Sequence, residues 1–380
     1  MAIYLDNAAT TPLRKEVLDV MEPYFSEKYG NPSSMHQLGL EANSAVSESR
    51  EKISSILNCN PDEIIFTSGG TESVNLAIKG VAFAKKKGHI ITQETEHHAV
   101  LNCCKWLETQ GFSVTYVETD KYGLVNPRDV ENAVKKDTIL VSIMYANNEI
   151  GAIQPIKEIA AICKNKNILF HTDACQAAGY LDIDVKNLGA DLMTINGSKI
   201  YGPKGIGILY VRKGTSITPI IQGGGQEFNL RSGTENVPSI VGFAKALELA
   251  QKEKDSESKK LIKLRDKLIS ELLKIPNARL NGNPTKRLPN NVNISFYGVE
   301  GESILLDLNE RGIFASTGSA CSTKSLEASH VLLAIGLKHD WAHGSIRFSL
   351  GRTTSEKDID YVLQVFPKII ENRRGMSPVK

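Results

Sequence analysis

The chain has 380 residues, 41% of them hydrophobic and 23% charged, with a formal net charge of +2. That is a globular composition, long enough for two domains, and the near-neutral balance gives no reason to expect nucleic acid or a charged surface as a partner. No apolar run approaches the roughly 20 residues of a membrane span, the opening Met1-Ala-Ile-Tyr-Leu-Asp6 has no signal-peptide pattern, and six cysteines are too few for a disulfide scaffold, so a cytoplasmic protein with reduced thiols is expected.

Asp6-Asn-Ala-Ala-Thr-Thr-Pro12 is a polar, small-residue segment. Helical patterns follow at 14–27 and 37–57, around the loop Tyr29-Gly-Asn-Pro-Ser-Ser34. Glu63-Ile-Ile-Phe-Thr67 reads as a strand that runs into Ser68-Gly-Gly-Thr-Glu72 and a helix to residue 84. The signals then alternate: strands at 89–92, 113–117, 139–143 and 168–170, helices at 98–110, 127–135 and 156–165. Residues 191–195 and 205–211 are two further apolar runs. This alternation predicts an α/β fold with a mostly parallel sheet flanked by helices. After Gln222-Gly-Gly-Gly-Gln226 the pattern changes. A long helical stretch from Val237 enters the charge run 252–260, read as a solvated face and a hinge between domains. A strand at 291–296, a helix at 301–311, a strand at 343–350 and a helix at 355–372 predict a smaller α+β domain. The expected division is a large domain of residues 13–250 and a small one of 251–380.

Asp173 and Lys199 are the residues around which the chemistry gathers. Asp173 sits just past the apolar run 168–170, in His171-Thr-Asp-Ala-Cys-Gln176. Lys199 follows the run 191–195 by four residues, in Asn196-Gly-Ser-Lys-Ile-Tyr-Gly-Pro-Lys-Gly205. Two strand ends can therefore aim an acid and an amine at one spot. A pyridoxal phosphate enzyme requires such a pair: the lysine forms a Schiff base with the cofactor aldehyde, and the acid keeps the ring nitrogen protonated. Alone, either residue is more often a turn or surface charge. The glycines around Lys199 are what close approach of backbone to a ligand needs. Ser68-Gly69-Gly70-Thr71, between a strand and a helix, has the composition of an anion site.

These two segments, with Tyr4-Leu-Asp-Asn-Ala-Ala-Thr-Thr-Pro12 and Ile346-Arg-Phe-Ser-Leu-Gly-Arg352, are similar to the cysteine desulfurases of the NifS/IscS type, which are fold-type I pyridoxal phosphate enzymes. The resemblance implies that residues 1–12 join the small domain. It implies that Gly70 and Thr71 hold the cofactor phosphate and that Thr234 reaches it from the other subunit, hence a homodimer with shared sites. His97 would stack on the pyridine ring and move protons, with His98 a weaker candidate; a lone histidine is otherwise more often structural. Asn148 and Gln176 would hydrogen-bond the ring and its phenolic oxygen. Arg347 would clamp the substrate carboxylate, which suits its planar fork, with Asn31 beside it.

One departure stands out. The family commonly carries Ser-x-His-Lys at the Schiff-base lysine, where this chain has Asn196-Gly-Ser198-Lys199. Asn196 and Ser198 can still donate hydrogen bonds to phosphate, but neither carries a positive charge. Cys321, in Ser316-Thr-Gly-Ser-Ala-Cys-Ser322, matches the family nucleophile; the other cysteines read as small buried hydrophobes. Cys321 is also the candidate for a transient iron–sulfur ligand, and no Cys-x-x-Cys pair suggests zinc. The expected activity is conversion of L-cysteine to L-alanine, with sulfur held on Cys321 as a persulfide and passed to an acceptor such as an iron–sulfur scaffold protein. The alternatives are a selenocysteine lyase, an aminotransferase, which needs no thiol, or a non-catalytic sulfur platform of the same fold.

Overall fold

The structure is a computed structural model and describes residues 2–317 and 328–376. In chain order its strands are β1 (Ile3–Tyr4), β2 (Ile64–Thr67), β3 (His89–Gln93), β4 (Ser113–Val117), β5 (Thr138–Ser142), β6 (Leu169–Asp173), β7 (Leu192–Asn196), β8 (Gly207–Val211), β9 (Ala278–Leu280), β10 (Asn291–Phe296), β11 (Ile313–Phe314) and β12 (Ser345–Ser349). Seven of them form the central sheet in the order β2-β8-β7-β6-β5-β3-β4. It is parallel except at β8, which runs antiparallel to both neighbours. The stretch between Asn196 and Gly207 is too short for the helical crossover a parallel return requires.

Successive side chains of a strand point to opposite faces. Ile64 and Phe66 accordingly join one apolar core with Ile91, Val141 and Phe170, while Ile65 joins a second with Ile90, Leu140 and Leu192. Both faces of the sheet are covered, which is why its strands read as near-continuous apolar runs. The helices Gly70–Lys85 and His98–Thr109 contribute Val74, Ile78, Val100 and Leu107 to the second core; Gln37–Leu57 and Val237–Leu272 contribute Ile53, Leu57, Phe243 and Leu247 to the first.

The charge run 252–260 lies inside the helix Val237–Leu272, which is unbroken. Buried residues stop at Leu247 and resume at Leu261, so the run is the stretch of helix that meets solvent between two buried faces. The second sheet, β12-β10-β9, is antiparallel. The N-terminal segment is tied to its strand β12, both the backbone N–H and the side-chain amide of Asn7 donating to Ser349 O at 3.2 and 2.9 Å, and β1 forms a separate parallel pair with β11. Among the described residues no helix is long and apolar enough to cross a membrane.

Candidate active site

β6 and β7 lie side by side and parallel, with Asp173 opposite Thr194. Their carboxyl ends therefore open on the same edge of the sheet, where open α/β sheets place their ligands. The chain leaves β7 at Asn196 and turns tightly through Gly197–Lys199, with Asn196 Oδ1 accepting the Ser198 N–H at 3.1 Å. The turn closes on a glycine because a Cβ at Gly197 would come within 2.7 Å of Pro203 O. Asp173 and Lys199 are thereby brought to one cavity of about 340 Å3. Asp173 Oδ1 accepts the Cys175 N–H at 2.9 Å, and Lys199 Nζ donates to Ala9 O. The N-terminal segment roofs this edge. Gln176 Nε2 donates to Ala8 O at 2.9 Å, and Thr11 N–H donates to Ser198 O at 2.8 Å.

The helix Gly70–Lys85 starts at the same edge. Gly69 has φ +148°, a conformation that L side chains rarely adopt. A Cβ on Gly70 would lie 3.0 Å from Cys175 Sγ and 3.6 Å from Asn196 Nδ2. Among the described residues the N–H groups of Gly70, Thr71 and Glu72 meet no acceptor. Donors of this kind at the positive end of a helix dipole make an anion cradle. Arg231 braces it from outside, 2.9 Å from Glu72 Oε1.

His97 caps the helix His98–Thr109: its Nδ1 accepts the Ala99 N–H at 3.1 Å. A neutral ring so used carries its proton on Nε2. Burial holds this imidazole below its ordinary pKa, with the Lys199 charge adding to the effect and Asp173 opposing it. Beside it, burial pushes the Glu96 carboxyl up to about 8, although Oε1 accepts from Gln93 Nε2 at 2.7 Å and from Met144 N–H at 2.6 Å. Arg347, on β12, lines the opposite wall; its guanidinium pairs with Asp6 Oδ1 at 2.8 Å and donates to Asn148 O at 3.0 Å.

Gly70, Thr71, His97, Asn148, Asp173, Gln176, Asn196, Lys199 and Arg347 all line this cavity. Three other residues singled out from the sequence stand off it. Ser198 donates its hydroxyl to Asn196 Oδ1 at 3.2 Å, so it orients the asparagine that does reach the cavity. Asn31 is exposed, its Oδ1 taken by the Ser33 N–H at 2.9 Å. Thr234 is exposed beside Gly205 and Arg231 in a separate groove. Cys321 lies outside the described residues. Burial raises the thiols of Cys59, Cys103 and Cys163 to about 12 and those of Cys104 and Cys175 further, so none of these five is a thiolate near neutral pH. Sequence reasoning missed Ala8, Ala9, Glu149 and His330 as lining residues. Among the described residues no group of three or more His, Cys, Asp or Glu side chains forms a metal site.

A sheet of this order, with a lysine and a carboxylate at its carboxyl edge beside an open helix N-terminus, is the architecture of pyridoxal phosphate enzymes of fold type I. The chain belongs to the aminotransferase class-V family, whose profile matches residues 3–362. It is 57% identical over 380 residues to a protein named cysteine desulfurase IscS from Methanosarcina thermophila, covering 100% of this chain and 94% of that one. A solved NifS-like protein superposes with a TM-score of 0.92 at 42% identity, covering 98% of this chain and 100% of the other. A structure described as SspA in complex with cysteine superposes with a TM-score of 0.82 at 39% identity, covering 92% of this chain and 98% of the other.

Proposed function

We propose that this cavity is where the chain, a pyridoxal phosphate-dependent cysteine desulfurase, converts L-cysteine to L-alanine and passes the sulfur to its own Cys321. The observation that carries the assignment is the meeting of Asp173 and Lys199 in one cavity beside an anion cradle. The donor set fits the cofactor. Gly70 and Thr71 would hold its phosphate through backbone N–H groups and the Thr71 hydroxyl, with Asn196 adding an amide. Asp173 would meet the ring nitrogen, His97 the ring face, and Asn148 and Gln176 the ring and its phenolic oxygen. Bound there, the cofactor supplies an aldehyde that takes up an amine and a sink for the electron pair left at the substrate Cα.

The chain's own residues do the rest. Arg347 holds the substrate carboxylate in its fork. Lys199 Nζ holds and moves the proton of the substrate Cα. The Cys321 thiolate attacks the substrate sulfur, the Cβ–S bond breaks with its electron pair left on the substrate carbon, that carbon takes up a proton on the way to the methyl group of L-alanine, and the chain carries a persulfide. Thr234 serves the phosphate of a second copy, which makes the working unit a homodimer with shared sites. The sulfur then goes to an acceptor protein, an iron–sulfur scaffold, in the cytoplasm, with Cys321 a transient ligand during the transfer. Incubating the holoprotein with L-cysteine and a reductant, and measuring sulfide and alanine together, tests the reading. Equal yields support it; pyruvate with ammonia, or neither product, overturns it.

A further inference from the structure

Two imidazoles face the cavity with opposite ends unused. His97 engages Nδ1 with the Ala99 N–H, so its remaining end is an Nε2–H donor. His330 engages Nε2, 3.0 Å from the backbone oxygen of Glu96. A carbonyl oxygen only accepts, so in the neutral ring Nε2 carries the proton and Nδ1 is a bare lone pair. Among the described residues no donor meets that Nδ1. The ring is held in place from two other directions. It packs on His98 with centroids 4.6 Å apart, and the preceding Ser329 donates its hydroxyl to Glu149 Oε2 at 2.5 Å. His330 is thus a fixed acceptor in the wall of the cavity, which His98 and Glu149 also line.

The argument rests on the cysteine desulfurase reading. L-Cysteine has three polar ends. Its carboxylate belongs with Arg347 and its amine with the Lys199 end of the cavity. The thiol is left, and a thiol is a hydrogen-bond donor. The His97 Nε2–H, itself a donor, is the wrong complement for it, whereas the His330 lone pair is the right one. We propose that His330 Nδ1 accepts a hydrogen bond from the substrate thiol and so selects a thiol-bearing side chain. The same contact favours turnover at its end, because L-alanine has only a methyl group to set against the lone pair and is released.

The test uses holoprotein carrying Cys321→Ser, so that sulfur transfer stops, titrated with L-cysteine and with L-alanine through the cofactor spectrum. Adding His330→Phe removes the acceptor. L-Cysteine should then bind about threefold to tenfold more weakly, the range of one ordinary hydrogen bond, with L-alanine unchanged. His330→Gln keeps a donor for the Glu96 carbonyl and an acceptor oxygen, and should keep the preference for cysteine. Equal weakening of both ligands by His330→Phe would mean that the ring only shapes the wall, and overturns the proposal. So does an unchanged preference, or a glutamine variant as unselective as the phenylalanine. Wild-type holoprotein that yields neither alanine nor sulfide from L-cysteine overturns the desulfurase reading and this proposal with it.

Discussion

Arg347 Nη2 lies 2.8 Å from Asp6 Oδ1, although the two residues are 341 positions apart. The arginine side chain is 2% exposed and the aspartate 20%. The residue assigned to hold the substrate carboxylate therefore already has a carboxylate of the chain beside it. Losing one partner of a buried pair costs about 3–5 kcal/mol. Asp6→Asn should lower the melting temperature of the holoprotein, and L-alanine should recover more of the loss than it adds to wild type. L-Alanine should also bind several-fold tighter, because its carboxylate no longer competes with Asp6. Weaker or unchanged L-alanine binding would show that Arg347 does not hold the ligand carboxylate.

Asp173→Asn keeps an acceptor for the Cys175 N–H and removes the charge proposed to face the ring nitrogen. Turnover should fall at least tenfold, or about 1.36 kcal/mol of barrier. A rate within about a factor of two of wild type would remove Asp173 from that role, since so small a change is well under 1 kcal/mol.

Ser198 acts on the cavity through Asn196, whose Oδ1 takes both its N–H and its hydroxyl. Ser198→Ala removes one of these and should loosen the asparagine amide near Gly70. Cofactor affinity should fall about twofold to tenfold, the range of a single hydrogen bond. Ser198→His, which restores the residue common in the resembling enzymes, should not improve it, because the imidazole would also sit off the cavity. Tighter cofactor binding by that variant, measured by equilibrium dialysis, would show that the position reaches the phosphate after all.

Burial pushes the Glu96 carboxyl up to about 8 from an ordinary 4.5. Across that window the folded chain keeps a proton that the unfolded chain has released. Its stability therefore falls as pH rises, and the fall levels off above the folded pKa. Glu96→Gln keeps an acceptor for the Met144 N–H and does not titrate. The stability advantage of the mutant should grow by about 1.36 kcal/mol per pH unit between roughly pH 5 and 8. Urea unfolding at three pH values checks this; a pH-independent difference refutes it.

Much of the site was legible because strand ends carry it. The apolar runs before Asp173 and Lys199 locate both residues, since a buried strand announces itself and the residue after it must emerge at an edge. Long-range pairing was not legible. Nothing local in Asp6 points to Arg347, and nothing in the run ending at Val211 distinguishes antiparallel β8 from its parallel neighbours, all being buried on both faces. The short stretch from Asn196 to Gly207 was the signal for β8, and it could have been used. His330 escaped notice because one histidine before a short apolar run carries no pattern. Its meaning comes from the Glu96 carbonyl, which only the fold brings to it. Asn31 stands off the cavity, its Oδ1 taken by the Ser33 N–H, while the role expected of Thr234 concerns the cavity of a second copy and not this one.

Cys321→Ser should separate binding from sulfur transfer. The proposed roles in cofactor and substrate binding fall to Lys199, Asp173 and Arg347, so the spectral response to L-cysteine should survive the substitution. Sulfur abstraction needs a soft nucleophile ionised near neutral pH, and a serine hydroxyl is far too weak an acid. Alanine and sulfide should therefore fall to background. Wild-type protein treated with L-cysteine without reductant should gain one sulfur on the peptide containing Cys321, and the mutant should gain none. Stray sulfur on Cys103 is disfavoured because burial holds its thiol at about 12, and Cys104 is shifted further in the same direction. Peptide-level mass spectrometry separates these sites. A mutant that keeps most of its sulfide release would remove Cys321 as the sulfur acceptor, and pyruvate with ammonia in place of alanine would mark direct β-elimination, in which the substrate sulfur leaves without ever bonding to the chain.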